Sequence, residues 1–593
     1  MELSSSIFTT VLSPLAAFPG PDDAGPGPPD PGDPPPVGGW AASPLNPKNR
    51  IDSLAPQENP TWRIDGAHLD GQRFFAVPTF ALGRPPLRVD VHIPPVEDLP
   101  HLLREVLKPE EALYARRSAV PGLSISQHLV RALGHWSSRI PDFQEKYLAL
   151  PFGSRILVTH ITASLEHTEV HLVPAYEVEQ DLLGLSVLRD RWASRIPPTS
   201  LPGTLDWAYL SFVRQIAETI SLVRIPSRHG VSELVFKSLT RDTRHMYHEL
   251  GVLLSLEPHP SIISRPLYVV EKRGRFGGRK SVCGFVLEYF PMGTLQDRLS
   301  STVPTSLSEQ FRWGRQVAEA LVHVASQEGE GWFYPDLKPD NVVLRPSPRG
   351  GGEADAVLLD FEQRGGWFGW SPPEVLAVEY LEALAADLPR GPARKQARDL
   401  LLAYIPVWQA ELRDGGETGQ AWRALAGRED GAALDRAQVF VLGKLLWCIF
   451  EGQATVRCGM DHELLRDAEP DGPAFPECRR APEEVQGLIR RCTLGACEPL
   501  RPVAVKGGSL VLSRSEGGAG GSLPAEVVLE ASRSWWRGEV EAAKDVVRQL
   551  AGRRPGRVDD TSILGLMRQR PRLTDVVTEL VRLEKKIIDV RET

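Results

Sequence analysis

Two stretches of this chain concentrate side chains that could act on a charged substrate. YPDLKPDNVVL (334–344) sets Asp336, Lys338 and Asn341 close together, and VLLDFEQRGGWFGWSPPE (357–374) brings Asp360 and Glu362. A carboxylate such as Asp336 can orient a hydroxyl and accept its proton, while a lysine two positions on can neutralise an anion beside it. The side chains at 341 and 360 offer hard oxygen donors of the kind a magnesium ion takes. A proton acceptor, a cation and metal-ligating oxygens are the parts that phosphoryl transfer needs.

Such groups work only if rigid elements hold them. ISLVRI (220–225), VSELVFKSL (231–239), LYVVEK (267–272) and VCGFVLEYF (282–290) read as strands, with a helix at HMYHELGVLLSL (245–256) among them. SLSEQFRWGRQVAEALVHVASQ (306–327) is a long amphipathic helix introduced by serines suited to capping, and the chain is helix-rich from about 375 onward. The pattern predicts a β-rich part followed by a helical part.

These segments, in this order, resemble the eukaryotic protein kinases, over about 205–585. The family's catalytic-loop pattern is matched at Asp336 and Asn341, and its magnesium-loop Asp-Phe at Asp360 and Phe361. DLKPDN, with Lys338, is the form that serine/threonine kinases favour. The magnesium loop and YPD triplet further resemble uncharacterised filamentous-fungal kinase-like proteins. The resemblance implies ATP and Mg2+ as cofactors, with Lys237 gripping phosphates, Glu249 in the next helix as its partner, and Asn341 and Asp360 on the metal. It implies a hinge at GFVLEYFPMGTLQDRL (284–299), where Leu287 is the gatekeeper and Glu288 and Phe290 offer backbone groups to adenine. In DRAQVFVLGKLLWCIFEG (435–452), Asp435 is expected to brace the catalytic-loop backbone. Glu374 is expected to pair with Arg570 or, alternatively, with Arg501. The implied fold is α+β and two-lobed, with a β-rich lobe at about 205–290, a helical lobe at about 291–585, and insertions at about 380–430 and 503–560.

The chain departs from the family in four places. Between Val223 and Leu234, where the glycine-rich loop is expected, only Gly230 is present; a backbone that wraps phosphates closely usually needs several. Tyr334 and Pro335 replace the histidine and arginine before the catalytic aspartate, Glu362 replaces the glycine after Asp-Phe, and the segment from Asp360 to Glu374 is short. Three of these changes occur among pseudokinases, yet Lys237, Glu249, Asp336, Asn341 and Asp360 all survive. Three functions therefore compete: a serine/threonine protein kinase acting on an unidentified protein, a pseudokinase scaffold or interaction module, and a small-molecule kinase. The SPPE segment and the pattern around Asp435 speak against the third.

The rest of the chain adds boundaries. Residues 1–60, rich in Pro, Gly and Asp after residue 18, read as a disordered tail. Residues 61–204 read as a small α/β appendage, with strands at 88–94 and within 154–174, a helix at 96–107, and a Pro-rich joint at 196–207. His160, His167 and His171 do not alternate in a way that converges on a metal. Across 593 residues, 42% hydrophobic and 24% charged with a net charge of −8, nothing suggests a nucleic-acid binder. No apolar run approaches the roughly 18 residues of a membrane span. Six scattered cysteines without zinc spacing suggest reduced thiols and an intracellular protein, cytoplasmic or nuclear.

Overall fold

The computed structural model describes residues 11–19, 39–43, 45–49, 54–68, 70–115, 117–227, 230–274, 278–327, 332–348, 350, 352–365, 369–409, 419–426, 432–456, 475–496, 503–506, 509–512, 525–552 and 560–592. They form a mixed α+β fold.

The first sheet has five strands: β1 (Trp62–Ala67), β2 (Arg73–Pro78), β3 (Asp90–His92), β4 (Arg155–His160) and β5 (Glu169–Val173), hydrogen-bonded in that order. β3 and β4 run parallel, so the chain must cross over between them, and the helix Ser124–Ser138 lies in that crossover. This unit has its own apolar core, built on Trp62, Phe74, Leu129, Leu133 and Ile156.

The second sheet has six: β6 (Gly203–Asp206), β7 (Ser211–Gln215), β8 (Ile220–Ser227), β9 (Gly230–Lys237), β10 (Tyr268–Arg273) and β11 (Lys280–Glu288), in the spatial order β6-β10-β11-β9-β8-β7. β9 lies between β8 and β11, and apolar Val223, Phe236, Phe285 and Val286 are fully buried there. Gly284 is required by a close approach: a Cβ on it would lie 2.4 Å from the Lys237 carbonyl and 2.5 Å from the Phe236 ring. The helix Thr243–Ser255 follows β9.

Beyond β11 the helices Leu307–Ala325, Pro373–Asp387, Pro392–Tyr404, Ala432–Glu451, Ala525–Leu550 and Leu573–Glu592 dominate, with two hairpins, β12 (Val342–Pro346) with β13 (Ala354–Leu358) and β14 (Val503–Lys506) with β15 (Ser509–Leu512). Ser306 and Glu309 close a capping box on the Leu307–Ala325 helix, as its serines suggest. Among the described residues no helix is long and apolar enough to cross a membrane.

Two boundaries move. Residues 11–19 are not a loose tail: Val11, Leu12, Ala16 and Ala17 are buried in the main core. There the Val11 carbonyl accepts Ser532 Oγ at 2.8 Å and Trp536 Nε1 at 2.7 Å. Composition missed this because VLSPLAAF is an apolar island ahead of the Pro-rich run. The end of the N-terminal unit also shifts, from 204 to about 174. Leu182, Leu185, Leu188 and Trp192 pack into the larger core, and the Leu183 carbonyl accepts the Val282 N–H at 2.8 Å. The Pro-rich joint at 196–207 is thus a short lead into β6, which pairs parallel with β10.

Candidate active site

Lys237 ends β9, and its ammonium is buried among three carboxylates. Glu249, one face inward on the following helix, lies 2.6 Å away; Asp360 lies at 2.6 Å and Glu362 at 3.2 Å. Burial opposes the charge on Lys237, yet the carboxylates, Asp360 foremost, raise its pKa well above the usual lysine range. The same burial pushes Glu249 up to about 8, against the pull of Lys237. Asp360 also resists burial, but Lys237 holds it below the usual carboxylate value. Glu362 therefore faces the lysine rather than solvent, and Arg364 holds its other oxygen at 3.0 Å.

Asp360 follows β13 in a left-handed conformation, φ 61°, which costs a non-glycine residue about 1–3 kcal/mol. The surroundings over-determine it. Glu249 Oε1 accepts the Phe361 N–H at 3.2 Å while its other oxygen pairs with Lys237, so one glutamate fixes both sides of Asp360.

The catalytic-loop segment forms a second cluster. Lys338 Nζ lies 3.0 Å from Asp336 Oδ2, and Asn341 Nδ2 donates to the same oxygen at 2.9 Å and to the Asp336 carbonyl at 2.8 Å. The other oxygen, Asp336 Oδ1, is buried and has no hydrogen-bond partner among the described residues. Burial pushes the Asp336 carboxyl up to about 6, although Lys338 pulls it down. The clusters are tied together through backbone: the Asn341 carbonyl accepts the Leu359 N–H at 2.9 Å.

Three residues to which the sequence assigned no holding role tie these loops down. Tyr334 donates its hydroxyl to the Leu359 carbonyl and packs edge-on against Phe361, ring centroids 5.2 Å apart, so it links the two loops directly. Gln363, also left-handed at φ 54°, donates to the Phe333 carbonyl at 2.7 Å and meets His248 at 3.0 Å. Gln438 accepts the Tyr334 N–H at 3.0 Å, the bracing role expected of Asp435. Asp435 sits one turn earlier and binds Arg572 at 2.6 Å instead. The signal was Gly443: a Cβ there would lie 2.7 Å from Cys492 Cβ, so this glycine fixes the helix register, and Gln438 stands five positions before it.

Gly230 is also corrected. It opens β9 at the end opposite Lys237, seven residues and therefore ~23 Å of strand away. The turn beside Lys237 is 216–219, between β7 and β8: Ile220 pairs with Lys237, and the Ser238 N–H donates to the Thr219 carbonyl at 2.9 Å. It contains no glycine.

Leu287 and Phe290 are buried at the end of β11, Glu288 between them is exposed, and the Phe290 carbonyl accepts the Gly293 N–H at 3.1 Å. Glu374 meets Arg570 in a fully buried two-pronged pair at 2.7 and 3.0 Å. Arg570 Nε also donates to the Leu494 carbonyl at 2.8 Å. Arg501 lies outside the described residues.

Compared with known proteins, the chain matches no family model and no curated protein.

Proposed function

We propose that this chain is a two-lobed, protein-kinase-like phosphotransferase of the serine/threonine type that uses ATP and Mg2+. The observation that carries the reading is Asp336 Oδ1: a buried carboxylate oxygen with no partner among the described residues, on a group whose other oxygen is already held by Lys338 and Asn341. A buried acceptor left empty is costly, about 1–3 kcal/mol, and a hydroxyl donor would relieve it. In this role Asp336 orients the hydroxyl and takes its proton, and Lys338 offsets the negative charge beside it.

The donor set suits a divalent cation. Glu249, Asp360 and Glu362 each offer an oxygen within 4.8 Å of the others, and three carboxylates around one ammonium leave an excess of negative charge. Burial first, and then the neighbouring Asp360 and Glu362 carboxylates, raise the Glu249 carboxyl. Asp360 and Asn341, with Glu362 beside them, would hold Mg2+, which supplies charge neutralisation at phosphate oxygens. Lys237 would grip the phosphates, and the chain after Leu287, at Glu288 and Phe290, would present backbone groups to adenine.

A second reading, a scaffold that holds nucleotide without transferring phosphate, is favoured by the glycine-free turn at 216–219. Two measurements separate the readings. Mg-ATP at millimolar concentration should raise the melting temperature of the wild type by mass action, and Lys237→Met or Asp360→Ala should abolish the shift. ATP turnover and autophosphorylation should accompany it. A shift without turnover would leave the scaffold, and no shift in the wild type would remove both.

A further inference from the structure

The five-stranded N-terminal unit reaches the strand that carries Lys237 from two sides. On one side it holds the β7–β8 turn. The Glu218 carboxylate takes Arg73 Nη1 at 2.6 Å and His68 Nε2 at 3.2 Å. The Gln215 N–H donates to Asp65 Oδ2 at 2.8 Å, and Arg63 donates to the Val213 carbonyl at 2.7 Å. On the other side, Arg88 Nη1 donates to the carbonyl and hydroxyl of Ser238, the residue after Lys237, at 3.0 and 2.9 Å. Arg73 and Arg88 are only 5% and 4% exposed, and Arg88 sits at φ 56°.

Solvated rim ion pairs between two folded units contribute little. Buried guanidiniums are different, because each is tolerated only where its partners are fixed, and losing one partner is strongly destabilising to that contact. Here the partners are the turn beside Lys237 and the residue next to it.

We propose that the N-terminal unit is a positioning element of the candidate site, setting the place of Lys237 through Glu218 and Ser238. This rests on the phosphotransfer reading, in which Lys237 grips the nucleotide. Ion pairs to a second folded unit hold this glycine-free turn. Glu218, Arg73 and Arg88 are positioning residues and touch no nucleotide.

The test uses the full chain with Glu218→Ala, since Glu218 is half-exposed and its loss leaves no buried cavity. Glu233→Ala, which removes an exposed pair with Arg224 elsewhere on the same sheet, is the control. For Glu218→Ala, the Kd and KM for Mg-ATP should rise at least about fivefold while kcat at saturation stays within about twofold, a split that general loss of structure would not give. Glu218→Gln, which keeps an acceptor for Arg73, should recover part of the loss. Hydrogen exchange of the amides at 216–220 and at Ser238 should quicken in Glu218→Ala and not in Glu233→Ala. Unchanged exchange and unchanged Kd overturn the positioning role. If the wild type binds no Mg-ATP, the phosphotransfer reading falls, while the exchange comparison still decides whether the unit holds this strand.

Discussion

At the scale of single residues the site is defined by unequal carboxylates. Asp336 keeps one oxygen without a donor among the described residues and Asp360 faces Lys237, so their losses should differ. Asp336→Asn keeps the bonds to Lys338 and Asn341 but removes the proton acceptor. Turnover should fall by at least about a hundredfold while the Mg-ATP thermal shift is retained. Equal turnover in mutant and wild type would assign the activity to another group. Glu362 is engaged with both Lys237 and Arg364, so Glu362→Gly frees one ammonium contact and one candidate metal oxygen together. Titrations with Mg2+ and Mn2+ should then separate mutant from wild type. Superimposable curves would reduce Glu362 to a partner of Lys237 and Arg364.

At the scale of elements, positions far from the chemistry fix the loops. Gln438→Leu leaves the Tyr334 N–H without its acceptor, which should cost about 1–3 kcal/mol in urea unfolding and lower turnover without weakening nucleotide affinity. Asp435→Asn, by contrast, should affect the half-buried pair with Arg572 and leave turnover alone. Gly284→Ala sets a methyl group against the Lys237 carbonyl and Phe236 and should destabilise by about 1–3 kcal/mol through overpacking. The segment after Asp360 has little to switch. Ser371 is 2% exposed with its hydroxyl buried, so phosphatase treatment should leave any activity unchanged.

At the scale of the whole molecule, distant segments meet. The N-terminal residues 11–19 rest on the helix Ala525–Leu550, which also packs against Pro373–Asp387, where Trp536 meets Tyr380 edge-on at 5.0 Å. Both stretches read as insertions thus share a core with the chain's start. The junction of the two sheets should respond to pH. Burial disfavours the imidazolium of His68, but its bonds to Asp70 and Glu218 outweigh that and raise it to about 9; Arg73, facing it, opposes the charge. A pKa raised from 6.5 means the protonated form is favoured in the folded state. The stability it contributes is full below about pH 6.5 and is lost as pH rises through about 9. The wild-type melting temperature should therefore fall across that window, and that of His68→Gln should fall less; parallel curves would remove His68 from the junction.

Local sequence determined the parts that local rules govern. Strand alternation at 220–239 and 267–290, the helix after Lys237, and the capped helix from Leu307 follow from periodicity and caps that neighbouring residues set. The loops carrying Asp336, Asn341 and Asp360 were legible because several polar types at short spacing have few other uses. Tertiary structure decided what depends on residues distant in sequence. Which glycine lies near Lys237 depends on strand pairing, and antiparallel pairing put Gly230 at the far end of β9 and the turn 216–219 beside the lysine. Which side chain braces Tyr334 depends on helix register, fixed by Gly443 against Cys492. Glu374 had two candidate arginines until packing buried Arg570 on it. The reach of Arg88 to Ser238 spans 150 residues, and only the docking of two sheets brings those atoms together.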